Sequence, residues 1–180
     1  MVYILLGNGF EEMEAISPCD LLRRGDVEVK TVSVSGQPVI GAHGIPVTAD
    51  MMIDDVDAAD AEMVVVPGGW GGVKSIEACE KAMNLVKTVW ENGGYVAAIC
   101  AGPTALAQLH ITDGKKATVY PGLEDMMGDA LMQPGCAVVC DGKLITGEGP
   151  GAAVPFGLRL LETLKGSDVA RTITDGIVLR

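Results

Sequence analysis

The sequence predicts an α/β fold built around a mostly parallel sheet. Short apolar runs rich in Val and Ile alternate with segments whose apolar residues recur at helical spacing. This alternation is the pattern of βαβ units. The chain has 180 residues, enough for one buried core, and no repeat or linker interrupts the pattern. We therefore expect a single domain over residues 1–180.

The first half of the chain predicts two strands, a helix and a hairpin. The apolar run VYILL predicts a buried strand over 2–6, and an apolar stripe predicts a helix over about 13–24. The residues of that stripe are Met13, Ile16, Leu21 and Leu22. Alternating residues predict a strand over 27–34, and two brief extended pieces around glycines predict a small β-hairpin within 37–50.

The middle of the chain predicts two further strands, each leading into a loop or helix. The segment 61–72 reads as a buried strand that ends in a glycine-rich loop. Residues 79–92 have the spacing of a helix, and residues 95–99 form an apolar run typical of a strand. A helix is expected to open at Cys100, directly after that strand.

The last third of the chain predicts a hairpin and a long helix. Asp-Gly stands between two apolar runs in 138–145, which is a strong hairpin signal. Residues 151–166 have helical periodicity. The side chains expected to pack inward from this helix are Val154, Leu158 and Leu161.

Composition argues against several classes of protein. The net charge of −11 disfavours binding to nucleic acid or to anionic membranes. No apolar run approaches the ~20 residues that cross a bilayer, and no basic leader opens the chain, so we expect a soluble cytoplasmic protein. The five cysteines lack the spacing of a disulfide framework or a zinc site. Small molecules or other proteins remain as partners, with no metal expected.

Cys100 stands where a strand is predicted to turn into a helix. The carboxyl ends of parallel strands form the binding edge of an open sheet, so the loops 7–12 and 68–72 should converge with this turn. Pro103 suits the first turn of a helix. A thiol at a helix N-terminus has its pKa lowered from ~8.5 to roughly 3.5–7.5. We therefore expect an exposed, ionised nucleophile at Cys100.

An acidic residue is the better candidate for the proton-transfer partner of this cysteine. His110 is expected ~15 Å along the same helix, at 1.5 Å per residue. His43 reaches the site only by folding back or from another subunit. Glu11 and Glu12 are expected to be solvated at a helix N-terminus. Glu14 lies among apolar residues, and burial beside a thiolate would keep it protonated.

The same loop raises a rival interpretation. The residues GNGFEE begin like the dinucleotide fingerprint GxGxxG, but Glu12 replaces the third glycine. Clustered carboxylates there would repel a pyrophosphate. We therefore expect no nucleotide cofactor.

Four motifs, in order, resemble one known superfamily. GFEEMEA, VVVPGGWGG, AAICAGPTALA and GEGPGAA are similar to the motifs of the ThiJ/PfpI superfamily, closest to the branch of a Parkinson-associated protein with glyoxalase and deglycase members. The resemblance implies a flavodoxin-like sandwich with helices on both faces, usually dimeric. It also implies that Cys100 is the nucleophile, Glu14 the protonated glutamate, and the amides of Gly69 and Ala101 the oxyanion site.

The chain departs from that superfamily's pattern at several positions. Tyr120 stands where some members carry a histidine before proline, and Ala101 stands where the peptidase branch has a histidine. Glu148 replaces a commonly basic residue. The residues that match positions near the partner subunit in relatives are Asp20, Arg24 and His43. The pocket or the dimer seam is therefore expected to differ here.

The first hypothesis is a cofactor-independent cysteine enzyme for 2-oxoaldehydes, of glyoxalase III type, or for their protein adducts, of deglycase type. A second is a redox-sensing stress protein or chaperone in which Cys100 is oxidised to sulfinate. A third, an intracellular cysteine peptidase or amidase, lacks an evident general base unless a partner subunit lends His43. The fourth is a binding module in which Cys100 only packs.

Overall fold

A seven-stranded sheet forms the middle layer of the computed structural model, which describes residues 1–179. The strands, in chain order, are β1 Val2–Leu6, β2 Val29–Ser33, β3 Val39–Ile40, β4 Pro46–Val47, β5 Met51–Met52, β6 Met63–Val66, β7 Tyr95–Ile99, β8 Lys116–Ala117, β9 Leu131–Met132, β10 Val138–Asp141 and β11 Leu144–Gly147. The α-helices are α1 Glu12–Arg24, α2 Trp70–Glu77, α3 Glu80–Glu91, α4 Pro103–Gln108, α5 Ala153–Lys165 and α6 Ser167–Gly176.

The order of the strands makes β1, β6 and β7 neighbours. Across the sheet the order is β10-β11-β7-β6-β1-β2-β5, and every adjacent pair is parallel except β10 with β11. The three strands at the middle therefore end on the same edge. This confirms the predicted mostly parallel sheet.

Helices cover both faces of the sheet, as a strand buried on both sides requires. All five residues of β1 are buried. Val2, Ile4 and Leu6 pack in the core shared with α1, α5 and α6. Tyr3 and Leu5 point the other way, into the core shared with α2, α3 and α4. The flavodoxin-like sandwich implied by the resemblance is confirmed.

Both predicted hairpins are present. β3 and β4 pair antiparallel within the 37–50 segment and form a small separate sheet. β10 and β11 pair antiparallel around the Asp-Gly turn, where Gly142 has a φ of 63°. A positive φ at this position explains the glycine.

Three helix predictions need correction. The loop expected over 68–72 turns into α2 at Trp70. Its glycines hide the helix because they weaken helical propensity, yet the packing needs them: a Cβ on Gly72 would lie 2.6 Å from Phe10 Cα. The helix after Cys100 starts only at Pro103 and ends at Gln108, so His110 lies beyond it. α6 was not predicted.

The predicted apolar faces are also partly wrong. Met13 and Ile16 of α1 are exposed, whereas Leu21 and Leu22 are buried. In α5 the buried side chains include Phe156, Leu160 and Leu161, while Val154 and Leu158 are half-buried. Within residues 1–179, every helix is too short or too polar to cross a bilayer.

Candidate active site

Three loops meet at the carboxyl edge of the central strands. The loop after β1 is joined to the loop after β6 by a hydrogen bond from the Glu11 N–H to the Gly68 carbonyl, at 2.9 Å. Cys100 follows β7, the neighbour of β6. The predicted convergence of these loops is confirmed, and it brings Glu14 beside Cys100.

Cys100 occupies a strained elbow between β7 and α4. Its φ is 63°, in the left-handed region that costs a non-glycine residue about 1–2 kcal/mol. Hydrogen bonds hold the residue there: its N–H donates to the Gly147 carbonyl at 2.9 Å, and its carbonyl accepts from the Tyr120 N–H at 3.0 Å. Cys100 is buried, with 9% of the residue exposed, so the expectation of an exposed nucleophile is wrong.

Glu14 is fully buried in the first turn of α1. Its Oε2 accepts a hydrogen bond from the Gly68 N–H at 2.8 Å. Its Oε1 is buried and has no hydrogen-bond partner among the described residues, and the Cys100 thiol lies beside this carboxyl. Gly68 is required here, because a Cβ on it would lie 2.6 Å from Cys100 Cβ and 3.0 Å from Cys100 Sγ.

Burial raises the pKa of both groups, and Glu14 raises that of Cys100 further. The pKa of Glu14 is raised to about 7, because burial outweighs the opposing effects of the Cys100 thiol and the Gly68 N–H, and the charge of Glu11 adds to the effect of burial. The pKa of Cys100 is raised from 9.0 to about 12, because burial and the Glu14 carboxylate outweigh the amides of Ala101 and Gly69. Such a pair loses its protons in two separate steps.

This result corrects the expectation of a preformed thiolate. The amides of Ala101 and Gly69 do lower the pKa of the sulfur, as expected of the elbow, but their effect is smaller than that of burial and of Glu14. A carboxyl that ionises near neutral pH is well suited to take a proton from a neighbouring thiol. The arrangement can therefore generate the thiolate at the moment of attack.

Glu11 and Glu12 are buried rather than solvated, contrary to expectation. Glu11 caps α1 by accepting a hydrogen bond from the Glu14 N–H at 2.9 Å. Glu12 is held by His43, whose Nδ1 lies 2.8 Å from Glu12 Oε2 and whose N–H donates to Oε1 at 2.8 Å. The sequence does not reveal the contacts with His43, because they depend on the β3–β4 hairpin folding back over this loop.

His43 therefore pairs with Glu12 instead of Cys100, and neither histidine places its imidazole beside the sulfur. His110 is exposed and its Nδ1 lies 2.9 Å from Asp113 Oδ2. Oxygen and nitrogen atoms of Glu11, Glu12 and His43 lie within 4.8 Å of one another, close enough for one metal ion. Two of these possible ligand atoms already have partners: Glu12 Oε2 lies 2.8 Å from His43 Nδ1, and Glu11 Oε2 accepts the N–H of Glu14 at the start of α1.

The remaining predicted residues do not contact the sulfur. Asp20 and Arg24 form an exposed ion pair of 2.6 Å along α1. Tyr120 and Glu148 line a cavity of about 370 Å³ on the side of the elbow that faces β11 and α5. Gly68, whose N–H orients Glu14, was not singled out from the sequence, although the PGG run contains it.

Comparison with known proteins gives consistent matches. Residues 1–163 match the model of the DJ-1/PfpI family. The chain is 34% identical over 182 residues to Protein DJ-1 homolog A of Arabidopsis thaliana, covering 99% of this chain and 46% of that protein. It spans less than half the length of that relative. It is 32% identical over 169 residues to Glutathione-independent glyoxalase DJR-1.2 of Caenorhabditis elegans, covering 94% and 90%.

A solved structure is similar over almost the whole chain. The crystal structure of DJ-1beta from Drosophila melanogaster superposes with a TM-score of 0.94 at 32% identity, covering 99% of this chain and 97% of that one.

Proposed function

The chain belongs to the DJ-1/PfpI family, and we propose that it is a cofactor-independent cysteine enzyme that converts 2-oxoaldehydes to 2-hydroxy acids or removes their adducts from proteins. The observation that carries the proposal is the buried Glu14–Cys100 pair, in which the carboxyl ionises near pH 7 and the thiol does not. The name of the Caenorhabditis elegans relative, a glutathione-independent glyoxalase, supports the free aldehyde as substrate.

The first step is addition of sulfur to the aldehyde carbon. The Glu14 carboxylate takes the proton of the Cys100 thiol while Sγ bonds to that carbon and the carbonyl π bond breaks. The electron pair goes to oxygen, where the N–H groups of Gly69 and Ala101, both close enough to bond to Sγ, stabilise the charge. Glu14 then returns its proton to this oxygen, which gives a hemithioacetal.

The second step moves a hydrogen between adjacent carbons. The Glu14 carboxylate removes the proton from the former aldehyde carbon and returns it to the neighbouring carbon of the resulting enediolate. The hydroxyl proton on the former aldehyde carbon passes to the neighbouring oxygen, and the C=O bond of the thioester forms. The product is a 2-hydroxyacyl thioester of Cys100. Water hydrolyses this thioester and restores the thiol, so the 2-hydroxy acid equals the substrate plus one water, and no external oxidant or reductant is consumed.

Turnover of methylglyoxal to lactate tests this assignment. Positioned proton transfer contributes about 10²–10⁴-fold, so Glu14→Gln should lose about that much of kcat. Cys100→Ser should lose activity as well, whereas Cys140→Ser, which changes an exposed cysteine, serves as the matched control. Lactate formation at the wild-type rate by Glu14→Gln would refute the role of Glu14.

Two rival functions are weaker on these contacts. The thiolate is the form that attacks peroxide, and burial and the Glu14 carboxylate disfavour that form by raising the pKa of Cys100, which weakens the sensor hypothesis. A peptidase needs a group that takes the proton of the nucleophile and then donates it to the amine leaving group. Both histidines, the usual groups for this role, are paired with carboxylates elsewhere. Sulfinate at Cys100 before any other cysteine under mild peroxide would restore the sensor hypothesis.

We also propose that the chain forms a homodimer through α1 and the β3–β4 hairpin. Exposed apolar side chains occur on both elements, at Met13, Ile16, Ile40 and Ile45. The hairpin lies against the start of α1, where the Ala42 N–H donates to the Phe10 carbonyl at 2.8 Å. Sedimentation should give a dimer for the wild type and a monomer for Ile16→Lys. A wild-type monomer would contradict this proposal.

A further inference from the structure

A cavity beside the nucleophile has walls that the proposed chemistry does not use. It has a volume of about 370 Å³, and its lining residues are Tyr120, Pro121, Ala137, Glu148, Gly149, Pro150, Gly151 and Ala152. Backbone hydrogen bonds connect two parts of its lining to the elbow at Cys100. Tyr120 donates its N–H to the Cys100 carbonyl, and Cys100 donates its N–H to Gly147, the residue before Glu148. The cavity therefore adjoins the backbone of the elbow that carries Cys100.

The cavity carries a net negative charge. Glu148 is the one charged residue among those that line it, and no Lys, Arg or His is included. Its Oε1 accepts a hydrogen bond from the Gly135 N–H at 3.0 Å, which holds the half-buried side chain in place. The N-terminus of α5 lies on the same wall and contributes about half of a positive charge. The full charge of the carboxylate exceeds that contribution.

Tyr120 adds an aromatic surface to the same space. Its side chain is 47% exposed, and a Cβ on Gly149 would lie 3.3 Å from its Cδ2. Because Gly149 has no side chain, the backbone passes close to the Tyr120 ring and leaves the cavity open. An aromatic face and a carboxylate both attract cations, the ring by its quadrupole and the carboxylate by its charge.

We propose that this cavity is a subsite for a positively charged part of the substrate, with Glu148 and Tyr120 as the residues that select it. The inference rests on the function proposed above. The substrate class is then 2-oxoaldehydes that carry a positive charge, in preference to those that carry a negative charge.

The electrostatic part of the proposal can be tested without turnover. The probes are two methanethiosulfonates, the cationic 2-(trimethylammonio)ethyl and the anionic 2-sulfonatoethyl reagent, with modification of the Cys100 peptide followed by mass spectrometry. Glu148→Gln keeps an acceptor for the Gly135 N–H but removes the charge. We expect the ratio of cationic to anionic rates to fall about three- to fivefold, as for a partly exposed charge pair.

Asp57→Asn is the matched control for this experiment. It removes one negative charge from a side chain that also accepts one backbone N–H, that of Ala59 at 2.9 Å. Asp57 precedes β6, at the edge of the sheet opposite Cys100, so the rate ratio at Cys100 should not change. Equal ratios in the wild type and Glu148→Gln would overturn the subsite.

Turnover then tests the substrate class. The probes are phenylglyoxals with a para-trimethylammonio or a para-carboxylate group, and the readout is the ratio of their kcat/KM values. The ratio should favour the cation in the wild type and fall in Glu148→Gln and in Tyr120→Leu. A ratio unchanged by both variants overturns the selection by these residues. If neither compound is turned over but the reagent ratio still depends on Glu148, the proposed function fails while the cationic subsite stands.

Discussion

Replacing Glu14 by glutamine should stabilise the protein increasingly as the pH rises. The carboxyl has a pKa of about 7 in the folded state, against 4.5 for the ordinary group. Its contribution to stability is therefore complete below pH 4.5 and is lost as the pH rises through about 7. Ionising this group in the fold costs about 3 kcal/mol at alkaline pH, since each pKa unit is worth about 1.4 kcal/mol. Glutamine escapes that cost because it does not ionise.

Denaturant unfolding measures this effect directly. Wild type and Glu14→Gln are unfolded in urea at about pH 5 and about pH 8.5, and the free energies of unfolding are extrapolated to water. The difference between the two proteins should move in favour of the variant by about 2–3 kcal/mol between these pH values. Because the variant remains folded, the loss of turnover expected from it is then a loss of chemistry.

Glu12→Gln provides a control of opposite sign. Burial raises the pKa of Glu12, but the hydrogen bonds from His43 outweigh burial and lower it. The hydrogen bond with Glu12 raises the pKa of His43, so the stability from the charged imidazole is present at low pH and lost as the pH rises through that raised pKa. Glu12→Gln should therefore destabilise more at about pH 5 than at about pH 8.5. A pH-independent difference between wild type and Glu14→Gln would refute the burial argument.

Two further predictions concern the pair itself. Glu11→Gln keeps the cap on α1 but removes a negative charge that raises the pKa of Glu14. In the pH profile of kcat/KM, the acidic limb should therefore move below its wild-type position near pH 7. A limb that does not move would mean that another group titrates. Gly68→Ala should abolish turnover and cost about 1–3 kcal/mol, because the new Cβ would overlap Cys100. Gly176→Ala, at a position with open space in α6, should leave the activity unchanged and should not lower the urea midpoint. Full activity in Gly68→Ala would contradict the packing described here.

Most of the fold follows from local patterns along the chain. The buried strand before Cys100, the Asp-Gly hairpin and the paired extended pieces of 37–50 are set by residues within a few positions of one another, and each is present as predicted. Helix α2 was missed because Gly71 and Gly72 weaken the helical signal. Glycines are needed there because the loop after β1 packs directly against them, and no local pattern in the sequence shows that contact.

The sequence by itself determined the alternation of strands and helices, the position of Cys100 at an elbow and the presence of Glu14 near the start of a helix. Only the tertiary structure decided the protonation order of the pair. A pKa depends on how much water remains around a group and on which charges lie next to it. Here those conditions come from residues distant in the chain, such as Gly68, 54 positions from the Glu14 carboxylate that it orients.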